Sequence, residues 1–129
     1  MTHPADSQEF DWVTARNECS LGTMFLRLRH GAEKDVEVRN GLREEDEPSK
    51  WAVKSDGEHF IVYRESRLGY RAVEFSRRQA TIDINSDELK VSFSATLTLT
   101  DLGECKLVVN GEELYEWQLR KRVLEKLFF

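Results

Sequence analysis

The chain has 129 residues, the length of one domain, with 40% hydrophobic and 33% charged residues, a balance that suits a packed fold with a charged surface. Its formal charge of −5 opposes nucleic-acid binding driven by overall charge, which needs a basic field. No stretch approaches the ~18 apolar residues that cross a bilayer. The opening residues carry neither a basic region nor an apolar run, so the expectation is a cytoplasmic protein with no secretory signal and no membrane association.

Residues 1–9 are polar and contain a His-Pro step, and read as a flexible end. Asp11 is placed to cap a helix in which Trp12, Ala15 and Cys19 recur at helical spacing. The pattern runs on through Leu21, Met24, Phe25, Leu28, Ala32 and Val36 to a stop at Asn40-Gly41, and predicts one long amphipathic helix. A hairpin of Phe25–Arg29 with Val36–Arg39 about His30-Gly31 competes with this, but the helical pattern is longer and better capped. Residues 43–50, REEDEPSK, form an acidic surface loop broken by Pro48. From Trp51 the period changes to two. Strands are expected at Trp51–Lys54 and His59–Arg64 around the Asp56-Gly57 turn, then at Tyr70–Arg77 and Gln79–Asn85.

The strongest alternation lies between Glu88 and Thr100, with Leu89, Val91, Phe93, Ala95, Leu97 and Leu99 against a row of Ser and Thr. That is a strand with one buried and one wet face, long enough to require a curl or a bulge. Cys105–Val109, an Asn110-Gly111 turn and Glu112–Tyr115 follow, before a helix from Glu116 whose apolar side is Leu119, Val123, Leu124, Leu127 and Phe128. The order predicts a single α+β domain, an antiparallel curved sheet of five to seven strands with a long N-terminal and a C-terminal helix packed on one face. This element order resembles the helix-grip architecture, which by itself implies little about activity.

Chemistry is harder to find. The seven glycines form no phosphate-cradling loop, and no nucleophile elbow is present. His59 is the one catalytic candidate, as a general base paired with Glu58 or Glu65, although a histidine at a strand start needs no such role. His3 and His30 sit in the flexible end and on a polar helix face. Carboxylate sets such as Asp83 with Asp87 or Glu88, and Glu33 with Asp35 or Glu37, read as solvated. Cys19 and Cys105 have no CxxC partner, and with three histidines lacking ligand spacing neither a metal nor a cofactor is expected. Both cysteines read as reduced, small buried hydrophobes, with a disulfide left open by their spacing. The cluster Arg120, Lys121, Arg122 and Lys126, near Tyr115 and Trp117, suits a helix C-terminus and needs no nucleic acid.

The leading expectation is therefore a non-enzymatic domain that binds a small apolar ligand or a protein. A ligand pocket would lie between the first helix and the long strand, lined by Trp12, Met24, Phe25, Leu28, Ile82, Val91 and Phe93. A protein interface, including one with a second copy, would use Leu124, Leu127, Phe128 and Phe129. In size and charge the chain is similar to secretion chaperones of the type III class, which implies a dimeric adaptor. The alternative from another class is a small hydrolase or isomerase with His59 in a helix–sheet cavity.

Overall fold

The computed structural model describes residues 9–47, 49–67 and 69–129, so the expectations for residues 1–8, His3 among them, and for Pro48 lie outside the described residues. Helix α1 (Trp12–Glu18) begins where Asp11 accepts the Thr14 amide at 3.1 Å and the Thr14 hydroxyl at 2.6 Å. It buries none of its residues. The expected single helix is broken after it: Ser20 is extended (φ −124°, ψ 155°) and caps α2 (Leu21–Gly41) by accepting the Thr23 amide at 3.1 Å. Apolar spacing continues across the break, which is why periodicity alone joins the two helices.

Seven strands follow: β1 (Ala52–Ser55), β2 (His59–Ser66), β3 (Gly69–Arg77), β4 (Ile82–Ser86), β5 (Val91–Leu99), β6 (Cys105–Val109) and β7 (Glu112–Leu114). They form one antiparallel sheet in sequence order, a meander with β1 and β7 at its edges. The Asp56-Gly57 and Asn110-Gly111 turns fall where expected, and Asn110 and Gly111 both take positive φ (51° and 81°), as the tight hairpin turn requires. Helix α3 (Glu116–Phe128) closes the chain.

Register divides the sheet into two faces. Phe60, Phe75, Ile84 and Phe93 stand in one cross-strand row, and Leu97, Leu107 and Leu114 in another. This face takes Met24, Phe25, Leu28, Ala32 and Val36 of α2 and Leu119, Val123, Leu124 and Leu127 of α3. The Phe25, Phe60 and Phe75 rings pack in series at 5.2 and 4.6 Å. The opposite face carries His59, Ser76, Asp83 and Ser94 in one row and Ile61, Glu74, Asn85 and Ser92 in the next. The fold is thus two layers, α+β, with both long helices on one side.

The long strand β5 solves its length by changing partners. Val91–Ala95 pair with β4, whereas Thr96–Leu99 pair with β6. At the far end of that second half the structure corrects the thiol expectation: Cys19 and Cys105 are joined as a disulfide, with Cα atoms 5.4 Å apart. The elbow between α1 and α2 delivers Cys19 to the first residue of β6, a juxtaposition that 86 residues of separation conceal in the sequence.

Candidate functional site

The residues expected to line a ligand pocket divide between the core and the surface. Met24, Phe25, Leu28 and Ile82 are buried in the core, and Val91 and Phe93 are half-buried at its margin. Trp12 is not with them, because the break at Cys19–Ser20 puts it on α1, where it is 59% exposed. The expected interface set also divides. Leu124 and Leu127 face the sheet and are buried, Phe128 is half-buried with its ring 5.2 Å from that of Trp51, and Phe129 is 83% exposed.

A groove about 350 Å³ in volume runs between α2 and α3 on the side away from the sheet. Its walls carry Val38 of α2, Leu42 just past its end, and Trp117 and Phe129 from α3 and its end, all more than half exposed. Four large apolar side chains left in water around one groove depart from the scattered exposure normal at a surface. Of these only Phe129 and, through the basic cluster, Trp117 stand out in the sequence. Val38 lies off the apolar series of the helix and Leu42 beyond its Asn40-Gly41 stop, so neither stands out there.

Most of the charges on the groove and along α3 are arranged in pairs. Arg120 lies across α2 at Gly31 and reaches Asp35 at 2.6 Å, while its Nε donates to Glu116. Burial pulls the Arg120 guanidinium's pKa down, but Glu116 and Asp35 outweigh it and hold the pKa above its ordinary value. Lys121 meets Glu125 at 3.1 Å, and Arg122 meets Glu112 at 2.9 Å. The basic run of α3 is therefore largely neutralised by its own chain, which removes the cationic stripe that a phosphate backbone would need.

At the groove's end Arg39 donates to the Phe128 carbonyl and to Glu47, each within 3.3 Å, and lies 5.2 Å from the Phe129 ring centre. Arg64 stands over Trp51 at 4.5 Å and 3.8 Å from Glu47. Burial raises the Glu47 carboxyl, but the Arg39 hydrogen bond, the Glu44 amide and both guanidinium charges leave it below the ordinary range. Asn40 locks this corner by giving and taking hydrogen bonds with the Trp51 backbone at 2.9 and 2.8 Å. The acidic loop is thus tied down through Glu47.

His59 is placed differently from its sequence expectation. Its Nδ1 pairs with Asp56 in the turn and its Nε2 is 4.0 Å from Glu74, rather than either nitrogen meeting Glu58 or Glu65. Ser76, its cross-strand neighbour, donates to Glu74 at 3.3 Å. Asp83 accepts from Ser94 at 2.7 Å and Thr81 at 2.9 Å, and these bonds, with Arg78 at 3.4 Å, keep its carboxyl below the usual range. Among the described residues no three His, Cys, Asp or Glu side chains gather as a metal site, and no helix is long and apolar enough to cross a membrane.

Comparison with curated proteins finds a likeness to valine–tRNA ligase of Blochmanniella pennsylvanica (strain BPEN), 25% identical over 119 residues. The match covers 84% of this chain and 11% of the ligase, so the chain spans about a tenth of the length of the curated relative it matches. No protein-family model matches the chain. No solved structure matches it either.

Proposed function

We propose that the chain is a non-enzymatic protein-binding domain that pairs with a second copy of itself through the α2–α3 groove. The group of Val38, Leu42, Trp117 and Phe129 left in water carries this reading. Charge selects the occupant. Of the cations lining the groove, Arg39 pairs with Glu47, Arg120 with Asp35 and Glu116, and Lys121 with Glu125, so most of the charge here is paired within the chain, which as a whole carries −5. Two such chains repel over most of their surfaces at short range and meet here without that cost. A strongly charged partner gains nothing from a balanced rim, whereas a copy brings an identical balanced rim and its own exposed aromatics.

The test is sedimentation equilibrium from low to high micromolar concentration, on the unaltered chain and on Trp117→Glu. A dimer that becomes a folded monomer on substitution supports the reading. A chain that stays monomeric throughout, or a dimer indifferent to Trp117→Glu, overturns it. A dimeric adaptor of the secretion-chaperone kind is a finer version of the same proposal, and an aqueous compartment suits both; a disulfide by itself assigns no compartment. The hydrolase or isomerase alternative has less support, since His59 stands at a turn with both ring nitrogens facing carboxylates. The likeness to part of a valine–tRNA ligase contributes no activity to this proposal.

A further inference from the structure

We infer that the Cys19–Cys105 disulfide is a redox latch that holds α1 over the open edge of β5. The second half of β5, Thr96–Leu99, pairs with β6 on one side only, because β4 starts at Ile82 opposite Ala95. An uncovered strand edge invites pairing with another chain, and folded proteins cover it with a helix or loop. Here the cover is α1 and its elbow. Cover and strand share a cleft of about 990 Å³, lined by Val13, Arg16 and Ser20 from the cover and by Thr96–Leu99 from the strand. The two sides meet at Cys19, whose Sγ is 3.7 Å from the Thr98 carbonyl oxygen.

What holds the cover in place is unusual for a helix. α1 buries no residue of its own, so it lacks the apolar face that normally docks a short helix. Among the described residues its ties are the disulfide and the Phe10 ring, which lies against Gly103 in the β5–β6 turn; a Cβ there would come within 2.9 Å of that ring. Phe10 is itself 37% exposed. A segment bound by one covalent link and one half-wet ring belongs at the low-stability end of the molecule once the link is cut.

The reductant is a dithiol. One of its thiolates attacks the half-buried Cys105 sulfur, the S–S bond breaks, and Cys19 leaves as a thiolate that takes up a proton. The second thiol of the reductant then displaces Cys105, which is protonated in turn. Two electrons and two protons pass to the protein, and the dithiol becomes a disulfide. α1 is then free to leave, and the backbone of Thr96–Leu99 on the β4 side is open to an extended strand.

The experiment is amide hydrogen exchange read by mass spectrometry, on the oxidised protein, on the protein treated with dithiothreitol, and on Cys19→Ala with Cys105→Ala. Trypsin cleavage after Arg16, within α1, is followed in parallel. Reduction and the double substitution are expected to speed exchange in residues 12–20 and 96–99 by about tenfold or more and to expose Arg16 to trypsin. The core amides around Phe60, Val62, Val73 and Phe75 keep their protection. Unchanged exchange at α1 and β5 overturns the inference, because the cover then holds without the latch. Loss of protection throughout the core also overturns it, because the disulfide is then a staple of the whole fold.

Discussion

Gly31 stands in the interior of α2, where a glycine ordinarily costs about 1 kcal/mol relative to alanine. Replacing it should therefore stabilise an isolated helix by that amount. In this fold the sign reverses, because a Cβ at Gly31 would lie 2.4 Å from both Nε and Cζ of Arg120. The guanidinium must retreat by more than 1 Å, roughly, to restore ordinary contact. A shift of that size is expected to break its bonds to Asp35 and Glu116. Hydrogen bonds between charged groups contribute about 1.5–3 kcal/mol each, and these are partly exposed, so their joint loss is put at about 2–4 kcal/mol. The net effect of Gly31→Ala is a destabilisation of about 1–3 kcal/mol, or a midpoint lowered by about 4–12 °C for a chain of this size.

In an Arg120→Ala background the obstacle is gone, and Gly31→Ala should stabilise by about 1 kcal/mol. Urea unfolding of the four proteins, followed by tryptophan fluorescence and by circular dichroism, measures both values and their coupling. If Gly31→Ala stabilises to the same degree with and without Arg120, the guanidinium does not rest on Gly31, and the account of the helix crossing fails.

Other consequences are as direct. Asn40→Ala removes both bonds to the Trp51 backbone and leaves a buried amide unpaired, at a cost of about 2–4 kcal/mol in denaturant unfolding; Asn40→Asp should recover part of it by still accepting from that amide. Phe60→Ala opens the centre of the aromatic series and should cost about 3–5 kcal/mol, against less than about 1 for Phe129→Ala, which is largely in water. The carboxyls of Asp11, Glu47, Asp83 and Glu112 are all held below their ordinary values, so the stability they contribute is complete above the unfolded carboxylate range. That stability falls as pH drops through that range and below it, and Glu47→Gln should flatten the acid limb of the pH–stability curve. Tyr115, whose hydroxyl donates to Glu104 at 2.5 Å, is held neutral to higher pH than a free tyrosine, and Glu104→Gln should shift its ultraviolet titration downward.

The strands were legible because their information is local. Alternation locates β5, and Asp56-Gly57 and Asn110-Gly111 place two hairpins where the chain needs positive φ. The break before α2 was legible in part. Ser20, three residues ahead of Thr23, is a helix-cap signal, but the apolar series from Cys19 to Leu21 passes straight through it. The disulfide and the Arg120 crossing were not legible, since each joins residues more than eighty positions apart. His59 was identifiable as the histidine at a strand start, yet which carboxylates it meets depends on cross-strand register, and Glu74 comes from the neighbouring strand.

The groove shows why a two-layer fold hides its own surface from sequence. Val36 and Val38 are the same residue two positions apart, but on a helix they point to nearly opposite sides, so one is 7% exposed and the other 57%. Periodicity puts Val36 in the apolar series and Val38 off it, but it does not say that the second face must go uncovered. Once the sheet has covered the first, the second face must be judged against what water tolerates. The outer side of the sheet meets that standard largely with polar residues, among them Ser76, Asp83, Asn85, Ser92 and Ser94 beside Ile61. The outer side of the helix pair does not, because Val38, Leu42 and Trp117 stand there without a third layer to cover them. A chain whose helices served only to cover the sheet would have placed polar residues at these positions at no cost to the core. Their apolar character is what supports the proposed pairing with a second copy, and the ion pairs along the same groove suit an occupant that is itself close to neutral on that face.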